Sequence, residues 1–285
     1  MSVPDAKFPV RAVVFDWAGT MVDFGCMAPV RALIEVFGPE GIALTDAEAR
    51  ADMGKAKIDH LRAILAAPAV AARWREAKGA PPTESDVQHL YERLVPAMQA
   101  AAAKASRLIP GAAEAAAELV ALGIRIGSGT GYTREMMAPI LSNAAAQGYA
   151  PDVVVCAGET PSGRPAPFMT WQALIALDAW PASACVKIDD AAVGIEEGKL
   201  AGCWTIGLSA SGNGVGLDLE SFHALSEAER RQRIARSAAE LEAAGADYVV
   251  EDVSQVPSIV RDIARRIAAS HDHRDMTVAP KTIAP

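Results

Sequence analysis

The 285-residue sequence predicts an α/β fold, a Rossmann-like parallel sheet core with an inserted all-helical cap domain. Three observations predict it. Short apolar runs alternate with helical stretches, the pattern of a helix-covered parallel sheet. Carboxylates stand directly after two of those runs, where an open parallel sheet binds its ligands. Between the first run and the second, residues 24–104 carry helical pattern with no strand alternation, a block of insertion length.

In chain order, RAVVF before Asp16 reads as the first strand. The insertion then reads as helix in MAPVRALIEVF, TDAEARADMGKAKIDHLRAIL, VAARWREA and TESDVQHLYERLVPAMQAAAAKAS. The last has Thr83 and Asp86 at capping-box spacing, and Pro96 predicts a kink within it. PGAAEAAAELVALG opens with Pro110 and stops at Gly123, directly before the strand IRIGSGT at 124–130. TREMMAPILSNAAAQG starts after the tight GTGY turn and ends at Gly148. Four more strands are expected: DVVVC at 152–156, CVKI before Asp189, CWTIGL at 203–208 and ADYVV at 246–250. Residues 1–23 and 105–270 are thus assigned to the core, 24–104 to the cap, and the polar, aperiodic 271–285 to a disordered tail.

Composition excludes several functions. Charged residues make up 22% and hydrophobic residues 51%, the latter raised by alanine, as in an ordinary globular protein. A net charge of -8 argues against a nucleic-acid binder, so an anionic substrate must be held by local dipoles, basic side chains or a metal. No stretch reaches the roughly 18 apolar residues of a spanning helix, and the N-terminus lacks a signal-like apolar run; no membrane association and a cytoplasmic location are expected. Cys26, Cys156, Cys185 and Cys203 are dispersed and read as small buried residues in a reducing compartment.

The strand ends carry the chemistry. Asp16 follows AVVF, Thr130 follows IRIGSG, Asp189 and Asp190 follow CVKI, and Arg164 sits in the loop SGRPAP ahead of a helix. A carboxylate, a hydroxyl, a guanidinium and a second carboxylate form a coherent phosphoryl-transfer set, in which one carboxylate attacks phosphorus and the others hold its oxygens and a metal. Mg²⁺ suits such a site because it prefers oxygen ligands and few protein carboxylates. One position is unusual: two residues after Asp16, where an acid is often needed, stands Ala18.

The segments FDWAGTMVD, MGKAKIDH, GSGTGYTREMM, GRPAPFM and DDAAVGIEEGKLAGCWTIGL resemble, in the same order, the motifs of the haloacid dehalogenase-like superfamily and, within it, the phosphonatase family, which hydrolyses phosphonoacetaldehyde. The resemblance runs from about residue 8 to about 265. It implies that Asp16 is the nucleophile, that the carbonyl of Ala18 and the carboxylates of Asp16 and Asp190 bind Mg²⁺, and that Thr130, Gly131 and Arg164 engage the phosphoryl group. It also implies that Lys57, on the cap, forms a Schiff base with the substrate aldehyde, and that Met53, Cys26 and Tyr132 wall the pocket. A homodimer through apolar cap helices, and a small phosphonate as the partner molecule, follow from the same resemblance.

The chemistry fits those residue types. Cleaving a C–P bond expels carbon, and an iminium on the adjacent carbon is the electron sink that lets it leave as an enamine; a lysine amine supplies it. No alkoxide departs, so the general acid that would protonate one is not needed, and Ala18 and Lys57 read as two halves of one change. Lys57 must be neutral part of the time, and His60, three residues on, shares its face in a helix and can exchange protons with it; Lys55 reads as a solvated surface lysine. Superfamily members commonly carry a further acid four residues after the metal-binding one and a hydroxyl residue directly after it. Here those positions are Gly194 and Ala191, and adjacent Asp189 can compensate in part. Two other readings stay open: a different phosphotransferase or phosphatase on this scaffold, and a non-catalytic phosphonate- or phosphate-binding protein.

Overall fold

The computed structural model describes residues 8–275. Its center is one six-stranded, all-parallel sheet of β1 (Ala12–Phe15), β2 (Arg125–Thr130), β3 (Val153–Cys156), β4 (Cys185–Asp189), β5 (Trp204–Leu208) and β6 (Tyr248–Val250), in the order β3-β2-β1-β4-β5-β6. Parallel strands need crossovers, which cover both faces with helices, so the strands read as apolar runs rather than alternations. Successive residues still face opposite ways. Val13 and Phe15 join one apolar cluster, Ala12 and Val14 the other.

Five helices lie between Asp16 and residue 106: α1 (Met27–Phe37), α2 (Asp46–Arg50), α3 (Lys57–Ala66), α4 (Pro68–Lys78) and α5 (Glu84–Ala105). The core continues with α6 (Ala112–Ala121), α7 (Arg134–Ala146), α8 (Phe168–Ala176), α9 (Ala192–Ala201), α10 (Leu219–Ala224), α11 (Glu227–Ala243) and α12 (Val256–Asp275). Helix α1 packs along α5, and α5 in turn against α7. Leu33, Leu90 and Leu94 are fully buried in this packing, each worth about 1.5–3 kcal/mol of apolar burial, in the same cluster as Phe15 and Ile188 of the sheet.

Several local expectations are met and several are corrected. The Thr83 box is present: Asp86 Oδ2 accepts from Thr83 N at 2.7 Å, and Thr83 Oγ1 accepts from Asp86 N at 3.4 Å. Helix α5 spans Glu84–Ala105 with Pro96 inside it. Pro110 lies outside α6, which starts at Ala112 after Gly111. The stretch expected as one helix from Thr45 to Leu65 is two, because Gly54 takes φ +96 and breaks the ladder; a side chain there would meet Val193 Cγ1 at 2.7 Å. Helix α12 continues to Asp275, five residues into the expected tail, and the remaining tail positions fall outside the described residues.

Candidate active site

Strand order reverses at β1, whose neighbours are β2 on one side and β4 on the other, so a crevice opens beyond their carboxyl ends. Register assembles the site there. Phe15 is level with Ser128 and Ile188, which brings Asp16, one residue further, beside the ends of β2 and β4. Thr130 closes β2, Asp189 closes β4, and Asp190 follows.

Arg164 is the hub of the core side. Its buried guanidinium donates from Nε to Glu197 Oε2 at 2.8 Å and from Nη2 to the Gly129 carbonyl at 3.0 Å. Nη1 donates to the Gly54 carbonyl at 3.3 Å and pairs with Asp16 Oδ1 at 2.8 Å, while Nη2 lies 3.5 Å from Asp189 Oδ2. Lys187 and Asp189, two apart on β4 and hence on one face, meet at 2.6 Å with both side chains fully buried. Glu197 Oε1 accepts from the backbone N and the hydroxyl of Thr170 at 3.1 and 2.9 Å. These groups are satisfied mutually, the condition for burying charge without a large penalty.

Asp190 is held differently. Thr20 Oγ1 donates to its Oδ1 at 3.1 Å, and the Asn213 N–H and Cys26 Sγ approach Oδ2 at 2.8 and 3.4 Å, with no cation paired to it among the described residues. Burial first, then repulsion from Asp16 and Asp189, pushes its carboxyl up to about 7. Burial likewise raises Asp16 to about 6, against the pull of Arg164 and Lys187. On the core side the buried carboxyl groups of Asp16, Asp189, Asp190 and Glu197 outnumber the cations Arg164 and Lys187. One oxygen each from Asp16, Asp189 and Asp190 can come within 4.8 Å of the others. This oxygen-only donor set, with its excess of carboxyl groups, fits a hard divalent cation.

The cap side is buried against apolar groups. Lys57 begins α3 and is buried, its Nζ 3.9 Å from Met53 Sδ and 5.2 Å from the center of the Tyr132 ring. Removal from water lowers its pKa to about 8. His60 sits one turn along the same helix with its imidazole toward the Ala49 backbone, and neither its ring nitrogens nor the buried Tyr132 hydroxyl makes a well-formed hydrogen bond among the described residues. Burial, helped by the Lys57 and Lys55 cations, drives His60 well below the usual imidazole range. Lys55 itself points away and pairs with Asp52. Cap and core backbones touch at Gly131, where a Cβ would stand 2.4 Å from the Lys55 carbonyl oxygen and 2.9 Å from that of Gly54.

One cavity is lined by Asp16, Ala18, Cys26, Met53, Lys57 and Thr130, with Gly131, Tyr132 and Asp190 also on its wall. Of the residues singled out from sequence, Arg164 reaches this wall through Asp16 and Gly54, and His60 lies behind Lys57 on α3. Sequence reasoning passed over Lys187, Glu197, Thr20 and Asn213. Lys187 had a signal, a lysine inside an apolar strand that is fully buried only when paired. Cys26, Cys156, Cys185 and Cys203 are free and buried. No helix among the described residues is long and apolar enough to cross a membrane.

The haloacid dehalogenase-like hydrolase family profile matches residues 10–202, and the chain belongs to that family of hydrolases. It is 46% identical over 259 residues to the phosphonoacetaldehyde hydrolase of Paraburkholderia xenovorans, covering 91% of this chain and 97% of that one. It is 46% identical over 255 residues to the phosphonoacetaldehyde hydrolase of Syntrophobacter fumaroxidans, covering 90% and 92%. Among solved structures, a phosphonoacetaldehyde hydrolase-like protein from Oleispira antarctica superimposes with a TM-score of 0.91 at 41% identity, covering 94% of this chain and 98% of that one.

Proposed function

We propose that the protein hydrolyses the C–P bond of phosphonoacetaldehyde, giving acetaldehyde and phosphate, with Mg²⁺ as cofactor. The observation that carries this reading is the shared cavity of Asp16 and Lys57: a buried carboxylate from the core and a desolvated amine from the cap line the same space, with Ala18 where a phosphatase would use an acid. The close relatives named for this activity support it.

In this reading the neutral amine of Lys57 adds to the aldehyde, and loss of water leaves an imine. His60, neutral at physiological pH and without a well-formed hydrogen bond among the described residues, exchanges the protons of that addition and loss. Asp16 then attacks phosphorus, the C–P electron pair moves toward the iminium nitrogen, and the carbon leaves as an enamine. Water cleaves the aspartyl-phosphate, and protonation and hydrolysis of the enamine release acetaldehyde and free Lys57. Asp16, Asp190 and the Ala18 carbonyl would hold Mg²⁺, which supplies charge neutralisation for two anions brought together. Thr130 and the Gly131 N–H would hold phosphoryl oxygens, Arg164 would join them by exchanging its Nη1 contact with Asp16 for one to the substrate, and Met53, Cys26 and Tyr132 would wall off water.

The cavity measures only about 20 Å³, close to the room one water needs, so substrate entry requires the 24–104 cap to part from the core. Closure would then exclude water during the first transfer. A cytoplasmic homodimer is the proposed state.

The test is acetaldehyde release from phosphonoacetaldehyde with Mg²⁺, followed as NADH consumption by alcohol dehydrogenase. Turnover that stops on chelation and returns with Mg²⁺ is expected. Folded protein that releases nothing from phosphonoacetaldehyde, yet hydrolyses phosphate esters, would replace this reading with an ordinary phosphatase.

A further inference from the structure

Between β5 and α10 the chain runs SASGNGVGL, residues 209–217, a glycine-rich turn pinned to the core. Ser211 Oγ donates to the Gly19 carbonyl at 2.7 Å, the Gly25 N–H donates to the Ser211 carbonyl at 2.7 Å, and Arg236 Nη2 of α11 donates to the Gly214 carbonyl at 3.1 Å. Two glycines let neighbours approach closely. A Cβ on Gly212 would stand 2.2 Å from Asp190 Cβ, and one on Gly216, whose φ is +66, would stand 2.9 Å from Arg50 Nε. One end of the turn therefore lies against a carboxylate of the active site and the other against a side chain of the cap.

Arg50 ends α2, and its side chain is only 10% exposed. Nη1 donates to the Gly25 carbonyl, between β1 and α1, at 2.8 Å and to Asn213 Oδ1 at 3.2 Å. Nη2 donates to the Gly216 carbonyl at 3.1 Å, and Nε pairs with Asp46 at 2.6 Å. Asn213 completes the exchange, its Nδ2 donating to the Arg50 carbonyl at 3.2 Å. The backbone N–H of the same asparagine donates to Asp190 Oδ2 at 2.8 Å. One residue thus joins a cap arginine to Asp190. A guanidinium suits the role because its planar fork of donors reaches several acceptors at once.

We propose that Arg50 and Asn213 are positioning residues, a latch through which the closed cap fixes Asp190. With the cap shut, Arg50 grips the turn at Asn213 and Gly216 and holds the Asn213 N–H on Asp190. With the cap parted, those bonds pass to water and the turn can carry its N–H away from the carboxylate. By linkage, cation binding at Asp190 and closure of the cap strengthen each other. The inference rests on the reading above in placing a cation at Asp190 and in having the cap part from the core.

Two measurements test it, and neither needs turnover. Hydrogen exchange at single amides, followed by NMR in metal-free protein, reads the latch itself. The Asn213 N–H should exchange about tenfold faster in Arg50→Ala, the scale of a lost hydrogen bond to a charged group, and Arg50→Lys should recover part of the protection. Arg62→Ala breaks an exposed pairing with Asp59 and Glu84 inside the cap and should leave Asn213 at its wild-type rate. Calorimetric titration with Mg²⁺ reads the consequence: Arg50→Ala and Asn213→Ala should each weaken binding about fivefold or more, although neither removes an oxygen from the cation site. A wild-type exchange rate at Asn213 in folded Arg50→Ala would overturn the proposal, as would an equal acceleration in Arg62→Ala or wild-type Mg²⁺ affinity in both latch variants. Wild-type protein that binds Mg²⁺ and releases no acetaldehyde would instead remove the hydrolase reading and leave this comparison intact.

Discussion

The two walls of the cavity solve opposite problems. The core wall gathers charge and satisfies it: Arg164 spends its donors on Glu197, Gly129, Gly54 and Asp16, and Lys187 is clamped by Asp189. The cap wall withholds strong partners, leaving Lys57 against the Met53 thioether and the ring of Tyr132 from the core, and the His60 nitrogens without a well-formed hydrogen bond among the described residues. A saturated network fixes positions, whereas a starved one shifts proton affinity. In the proposed mechanism phosphoryl transfer draws on the first and imine formation on the second. The division of labour follows.

The largest effect should come from breaking one wall while sparing the other. Asp16→Ala should lower turnover by roughly 10⁴-fold or more, as removal of a nucleophile does. The cap should still form its imine, so borohydride with phosphonoacetaldehyde should fix mass onto Lys57 in that variant; failure to trap in folded protein would show that the walls do not act independently. Lys57→Arg is the converse. It keeps the cation but cannot form an imine, so turnover and trapping should both vanish while Mg²⁺ binding by calorimetry stays within the wild-type range. Near-normal turnover would sink the Schiff-base role.

How much of this comparison was legible beforehand depends on the wall. The core wall was: Asp16, Thr130 and Asp190 sit at the ends of apolar runs, and parallel sheets bring such ends together. The cap wall was not legible from pattern alone. Lys57 and His60 were singled out through a family resemblance, because a helical lysine in KAKIDH looks like any surface lysine until the fold buries it. The break at Gly54 was missed because helical propensity on both sides masks a single left-handed glycine, whose φ answers to a neighbouring element. Lys187, Glu197 and Asn213 were missed since each acts on a partner far off in sequence or hidden on one sheet face.

A smaller effect is expected where the walls meet. Gly131→Ala places a methyl 2.4 Å from the Lys55 carbonyl oxygen, and neither backbone can yield without parting cap from core. Turnover should fall by roughly 10²-fold, the scale of an ångström of misplacement, with Mg²⁺ affinity unchanged because the core wall is untouched. An equal loss of Mg²⁺ binding would mean that the contact shapes the core wall as well.

The smallest effect is graded and concerns protons. In the proposed mechanism Lys57 attacks only as the neutral amine, and burial lowers its pKa to about 8, so kcat/KM should rise with pH about tenfold per unit below 8 and level off above it. Below about 7 the slope should steepen, since protons compete with Mg²⁺ for Asp190 and then Asp16, whose carboxyls burial has raised. The two limbs separate the walls. Excess Mg²⁺ should flatten the acidic limb and leave the inflection near 8 in place. Tyr132→Ser, which removes the ring under Lys57 Nζ and admits water, should move that inflection up toward the ordinary lysine value and leave the acidic limb alone. An inflection that follows Mg²⁺ concentration instead would reassign the pKa from the cap amine to the core carboxylates.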